Sequence, residues 1–467
     1  MVAVASAVSL LLALAAAAWR PRRISPVGAL LVLGVANVVI AVSTGGDLLR
    51  VLDSFRLHPI LALVLGLVLG TLLDRAGALS TLAAGARGVG GAGALVFVIF
   101  LPLVLCLPCG HVIAAALAPV LPALCPEEGK AASTGVLAAA FARTAYGACG
   151  PAPAGGIGSI CEGWLAQGWP AYQVGVLRAP QLVALVAAMP AAAWIARRAG
   201  AQGITEAFVV PKATARGALA LFVFVTALLV ALFRPLGRYE MELPLFAAAV
   251  VLWPLAATAE APPTMRAWNA AMSPLIGVVI AFGAVGCVAA AGGLDSVARG
   301  LLAVPAAGKL GVVAAIALAP CVLPLPCGRI LGYVLAPLLY GLGPAKGGAL
   351  SWREVSVGMA VLATTLSTSC AHSPFCGGGM VVAHRASASR VLRSLAASLV
   401  VAVPCAALAA MPTLGTATWV VLLAAIGTLA GALLAGWTGF GTAKGRFQGA
   451  FGGLLGGALA GATLWIR

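Results

Sequence analysis

Charge is what this chain has least of. Only 9% of its residues are Asp, Glu, Lys or Arg, where an ordinary soluble domain carries roughly 25%. Hydrophobic residues make up 62%, and the mean hydropathy is +1.09. A water-soluble core has no use for that much apolar surface, so a soluble globular fold is excluded and lipid is the expected solvent. Other absences narrow the class further. There is no Walker A phosphate loop, which excludes ATP as the direct energy source. No positively charged segment precedes the first apolar run, Val2–Ala18, so that run reads as a membrane span and not as a cleaved signal peptide. Eleven cysteines are present, but most lie inside apolar stretches, so they do not imply a disulfide framework.

The few charges are lopsided, 28 Lys and Arg against 12 Asp and Glu, for a net charge of +16. In a soluble chain that balance would point to nucleic acid. Here the cations fall mostly in short segments between apolar runs, such as "WRPRR" (Trp19–Arg23), Arg197–Arg198 and "HRASASR" (His384–Arg390). Lys and Arg in such places set topology through the positive-inside rule, and no nucleic-acid partner is expected. The 58 glycines fit membrane helices, whose backbones approach closely at small residues.

One phrase is written twice. "LPCGHVIAAALAPVL" runs from Leu107 to Leu121 and "LPCGRILGYVLAPLL" from Leu325 to Leu339, 218 residues later, with eight of fifteen positions identical. Each copy sits between apolar arms of 14 to 17 residues, Ala94–Leu107 with Gly110–Leu124 and Leu310–Pro326 with Gly328–Leu342. A crossing needs about 20 apolar residues, so each pair reads as a re-entrant hairpin broken at Pro-Cys-Gly. Downstream of each hairpin lies a longer apolar run interrupted by helix breakers, "CGPAPAGG" (Cys149–Gly156) and "CAHSPFCGGG" (Cys370–Gly379). These read as crossings split into half-helices.

The expected fold is an all-α polytopic membrane protein of two inverted-topology repeats, each with a re-entrant hairpin and a broken transmembrane helix. Residues 1–56 hold an N-terminal pair of crossings. Residues 57–200 form the first repeat, with its hairpin at 94–124 and its broken helix at 131–165. Residues 201–271 hold linking helices. Residues 272–411 form the second repeat, with hairpin 310–342 and broken helix 354–384, and residues 412–467 hold a C-terminal pair. Within a repeat the chain crosses an odd number of times and the linking helices add an even number, which turns the second repeat upside down. That is the architecture of secondary transporters, whose sites lie where the repeats meet.

Four breaks are expected to converge on a site. They bring Pro108, Cys109, Gly110 and His111 from the first hairpin and Pro326, Cys327, Gly328 and Arg329 from the second. The first broken helix supplies Cys149, Gly150, Pro151, Gly155 and Gly156, and the second supplies Ser369, His372, Ser373, Gly377 and Gly378. Half-helix N-termini and glycine backbone suit a small anion. Arg329 and Arg143 offer a guanidinium to a carboxylate, with pairing of Arg143 to Glu162 as the structural alternative. Glu162, His111 and His372 are candidates for proton coupling, and Thr365 and Thr368 in "TTLSTSC" (Thr364–Cys370) for Na⁺. No catalytic residue, cofactor or resident metal is expected.

Cysteine leaves other readings open. Cys106 and Cys109 form a C-x-x-C, a pattern of redox pairs and soft-metal sites, whereas Pro324 stands at the matching place in the second hairpin. A thiophilic-ion transporter and an intramembrane thiol redox enzyme are the alternatives to anion transport.

The layout resembles the ion transporter superfamily. Within it, "RTAYGACGPAPAGGIGSI" (Arg143–Ile160) is similar to the proline-rich broken-helix segment of the gluconate permeases, with Ala152 where that family has a histidine between prolines. The segment Leu101–Leu121 lies where the family has its first hairpin. The resemblance implies an elevator-type transport domain moving against a dimeric scaffold, a small carboxylate substrate such as a sugar acid, and a place in the bacterial inner membrane.

Overall fold

A computed structural model describes residues 2–19, 26–43, 65, 68–89, 91–105, 121–125, 130–147, 171–201, 212–233, 242–257, 283–288, 291–322, 328–344, 347–348, 350–372, 388–412 and 414–465. All regular structure among them is helical. In chain order the helices are α1 (Val2–Trp19), α2 (Pro26–Ser43), α3 (Ala78–Val89), α4 (Gly91–Leu105), the single turn α5 (Leu121–Leu124), α6 (Lys130–Gly147), α7 (Ala171–Arg198), α8 (Ala215–Phe233) and α9 (Glu242–Ala257). They continue as α10 (Gly293–Leu302), α11 (Ala306–Leu318), α12 (Gly328–Gly341), α13 (Trp352–His372), α14 (Ala388–Ala397), α15 (Leu399–Ala409), α16 (Thr416–Trp437) and α17 (Ala443–Ala462). Among the described residues, three stretches are long and apolar enough to cross a membrane: Arg178–Arg198, Arg390–Ala409 and Thr416–Trp437. Large apolar side chains cover the outside of other helices, among them Phe222 on α8 and Phe246 and Trp253 on α9, as expected where lipid and not water is the neighbour.

Helix α7 is the hub, packing against α6, α13, α14, α15 and α16. With α6 it forms a septum between two apolar cores. Val136, Leu137, Ala140, Phe141 and Ala145 of α6 face one core, together with α4, α8, α9 and the C-terminal helices. Ala138, Ala139 and Ala142 face the other, built mainly from α11, α12, α13 and α14. A bulky face fills the first core, and an alanine face lets the second half approach closely.

Local rules set the helix ends. Ser351 and Glu354 form a capping box at the start of α13: Ser351 N and Oγ donate to Glu354 Oε2 at 2.7 and 2.9 Å, and Glu354 N donates to Ser351 Oγ at 3.3 Å. The break in this run was expected from Cys370, but α13 continues through Cys370 and Ala371 to His372. The physical reason is that Pro374 is the first residue there that opposes helix, and it restricts the residue before it. A single turn residue, Ser398, stands between α14 and α15, and the helical hydrogen bonds continue through it: Ser398 N donates to Ser394 O at 2.9 Å and Ala402 N to Ser398 O at 3.0 Å. α6 runs to Gly147, ahead of the sequence breakers that begin at Cys149.

The outer pairs are tied to opposite halves. Between α1 and α2, buried Asn37 donates Nδ2 to Ser9 Oγ at 3.0 Å and to Leu33 O at 2.8 Å, while its Oδ1 accepts from Ser6 Oγ. α1 in turn packs on α10 of the second half. α17 lies between α16 and α4 in backbone contact with both. A Cβ on Gly431 would sit 2.1 Å from Gly449 O, and one on Gly452 would sit 2.3 Å from Gly93 O. Gly445, Gly449, Gly453, Gly457 and Gly461 recur every fourth residue, the small-residue stripe that lets membrane helices touch. Ser133 Oγ donates to Thr438 O at 3.2 Å, and Arg178 Nη1 donates to Thr463 O at 2.7 Å, so both ends of the pair are pinned to the first half.

Candidate functional site

Arg143 is the largest fully buried side chain among the described residues, 2% exposed. Nothing between Lys130 and Gly147 opposes helix strongly, so α6 carries Arg143 in its last turns, at the seam between the cores. Its Nη2 donates to the carbonyl oxygen of Leu395 and to Ser398 Oγ, the latter at 2.7 Å. Ser398 Oγ also donates to Leu395 O at 2.8 Å, and Val401 N and Ala402 N both donate to Ser398 O at 3.0 Å. The guanidinium of α6 thus bonds at Ser398, the single turn residue between α14 and α15. Cys321, closing the 3-10 turn after α11, lies within electrostatic reach of the same guanidinium.

The neighbouring threonine repeats across the halves. Thr144, fully buried, donates to Ile99 O on α4 at 2.7 Å and contacts Phe141 O at 2.9 Å. Thr365, equally buried, donates to Ala317 O on α11 at 2.6 Å and contacts Leu362 O at 3.0 Å. Ile99 and Ala317 are 218 residues apart, the spacing of the repeated Leu-Pro-Cys-Gly phrase, and each stands three residues before a proline, Pro102 or Pro320. The signal was present in the sequence: Ala142-Arg143-Thr144 before Cys149 matches Ala363-Thr364-Thr365 before Cys370. In that register Thr364 occupies the place of Arg143, and it turns back to Ala360 O at 2.9 Å.

Gln181 had no place in the sequence reading. It is buried in α7 and donates Nε2 to Ala363 O at 3.0 Å, tying the hub to α13 beside Thr364. A lone amide in an apolar run carries no motif, although a polar group on a membrane helix is itself a flag.

Of the expected site residues, Arg143 and Thr365 are placed on adjoining helices, since α6 packs on α13. Gly328 and Arg329 open α12, and Thr368, Ser369 and His372 lie in the last turns of α13; their side chains lie outside the described structure. Pro108, Cys109, Gly110, His111, Cys149, Gly150, Pro151, Gly155, Gly156, Glu162, Pro326, Cys327, Ser373, Gly377 and Gly378 lie outside the described residues. Among the described residues no cluster of His, Cys, Asp and Glu could hold a metal ion, and Cys125, Cys287, Cys321 and Cys405 form no disulfide.

No protein-family model matches this chain, and no curated protein matches it.

Proposed function

We propose that the chain is a multi-pass membrane protein of two inverted repeats and acts as a secondary transporter. Its cargo is a small organic anion such as a sugar acid, carried by elevator-type alternating access and coupled to H⁺ or Na⁺. The observation that carries this reading is Arg143: a guanidinium buried where the two halves meet, bonded from α6 at Ser398, the turn residue between α14 and α15. An ionisable side chain inside a membrane protein marks a substrate or ion pathway by default, and a guanidinium fork suits a carboxylate.

The duplication is supported by the matched bonds of Thr144 and Thr365. It is also supported by matched packing, α4 on α6 in one half and α11 on α13 in the other. Re-entrance of the second hairpin is supported by length. Helix α11 has 13 residues and the 3-10 turn that continues it three more, about 25 Å together, against roughly 30 Å of hydrocarbon.

In this reading Arg329, with Arg143, balances the anion while the hairpin tips, around Gly110 and Gly328, and the half-helix ends at Gly155–Gly156 and Gly377–Gly378 supply backbone N–H groups. Glu162, His111 or His372 carries the proton, or Thr365 and Thr368 help hold Na⁺. The protein works as a homodimer, the state implied by its resemblance to the gluconate permeases.

The test is uptake of a panel of radiolabelled small carboxylates into proteoliposomes under an imposed pH or Na⁺ gradient. Gradient-driven, saturable uptake of at least one carboxylate is expected. Uptake of Cu⁺ or another thiophilic cation with none of any carboxylate would overturn the reading.

A further inference from the structure

Four exposed arginines gather where two helix ends meet. α7 ends in Arg197 and Arg198 and turns at Gly200, whose φ of 64° suits glycine, with Gly200 N donating to Arg197 O at 3.1 Å and Ala201 N to Ala196 O at 2.9 Å. Arg390 of α14 donates Nη1 to the carbonyl oxygen of Gly200, and Arg393 follows one turn later. All four are exposed, and among the described residues no carboxylate pairs with any of them. Their described partners are the Gly200 carbonyl and the Trp194 ring, whose centroid lies 5.5 Å from Arg198 Cζ. Trp194 is 47% exposed and lies one turn before Arg198, on a stretch long and apolar enough to cross a membrane. An exposed indole just inside a group of arginines marks the boundary between hydrocarbon and headgroups.

We propose that Arg197, Arg198, Arg390 and Arg393 bind the phosphate headgroup of an anionic phospholipid, with Trp194 against the upper part of its acyl chains. Guanidinium forks match phosphate oxygens bidentately. Because the arginines come from two helices, the lipid bridges α7 and α14 beside the Arg390–Gly200 bond. The proposal rests on the reading that α7 spans the membrane and is independent of the cargo. Topology-setting by positive charge acts during insertion and needs no bound lipid, so the two roles are separable.

The experiment uses full-length protein in nanodiscs of phosphatidylcholine with and without phosphatidylglycerol, released and counted for retained lipid by native mass spectrometry. Wild type is expected to retain phosphatidylglycerol over phosphatidylcholine. Arg198→Gln/Arg393→Gln should weaken that retention about twenty-five-fold, near fivefold per cation, while Arg198→Lys/Arg393→Lys keeps most of it and shows that the fold survives. Equal retention by the glutamine variant overturns the site. Displacement of phosphatidylglycerol by millimolar inorganic phosphate also overturns it, in favour of a soluble anion. An alkaline carbonate wash separates the two readings: release from membranes defeats the span, whereas firm membrane retention with no lipid preference defeats only the headgroup site.

Discussion

Thr365 holds Ala317: its hydroxyl donates to that carbonyl oxygen at 2.6 Å, clipping α11 to α13, as Thr144 of α6 does to Ile99 of α4 at 2.7 Å. Each carbonyl stands three residues before a proline, next to the i−4 carbonyl (Val98 or Ile316) that the proline leaves without its helical donor. The hydroxyls therefore serve backbone that water cannot reach.

Thr144→Val and Thr365→Val should each destabilise the protein by about 1 kcal/mol, because a buried carbonyl loses its partner. Serine at either position should restore most of the loss. Thermal unfolding in detergent, followed by monodispersity on gel filtration, checks both; a neutral Thr365→Val would show that the clip is incidental.

Arg143→Ala removes a charged donor from Leu395 O and Ser398 Oγ, at about 1.5–3 kcal/mol for a hydrogen bond to a charged group. Arg143→Lys keeps the charge without the fork. If Arg143 serves the cargo, proteoliposome uptake should fall far more than protein abundance does, and lysine should only partly rescue it. Parallel losses of uptake and abundance would make the residue structural.

Arg329→Ala should weaken apparent carboxylate affinity by two orders of magnitude or more, for a desolvated charge left without its partner at about 3–5 kcal/mol. Arg329→Lys should lose less. An unchanged apparent KM in the alanine variant would place the anion's counter-charge elsewhere.

The glycine stripe makes a sharper contrast. A Cβ on Gly453 would lie 2.0 Å from Gly427 O, whereas one on Gly300 or Gly311 meets nothing within 4 Å. Gly453→Ala should push α16 and α17 apart and cost about 1–3 kcal/mol. Gly300→Ala and Gly311→Ala, within α10 and α11, should be neutral or stabilise by about 0.5–1 kcal/mol. Thermal shifts of the three variants, measured side by side, decide it.

Cysteine can be tested by deletion. Cys106→Ala/Cys109→Ala should retain most carboxylate uptake if these side chains only pack, with a loss near 1 kcal/mol in stability. Abolished uptake together with stoichiometric bound copper in the wild type would favour the thiophilic alternative.

Much of this was legible in the chain itself. Scarce charge and long apolar runs dictate helices, because only internally bonded backbone survives in lipid. The described helices α6 and α13 reach Gly147 and His372, each just ahead of helix breakers in the sequence, and Ser351 with Glu354 announces the start of α13. The glycine spacing of α17 announces a close contact, though not with which helix. Partners were the part the chain did not reveal. Arg143 meets Leu395 and Ser398, 252 and 255 residues away, and Gln181 meets Ala363, 182 residues away. In two of these three contacts the acceptor is a main-chain carbonyl, a group that every residue carries and no side chain advertises. Only the packing of α6 and α7 between two cores decided which carbonyls those would be.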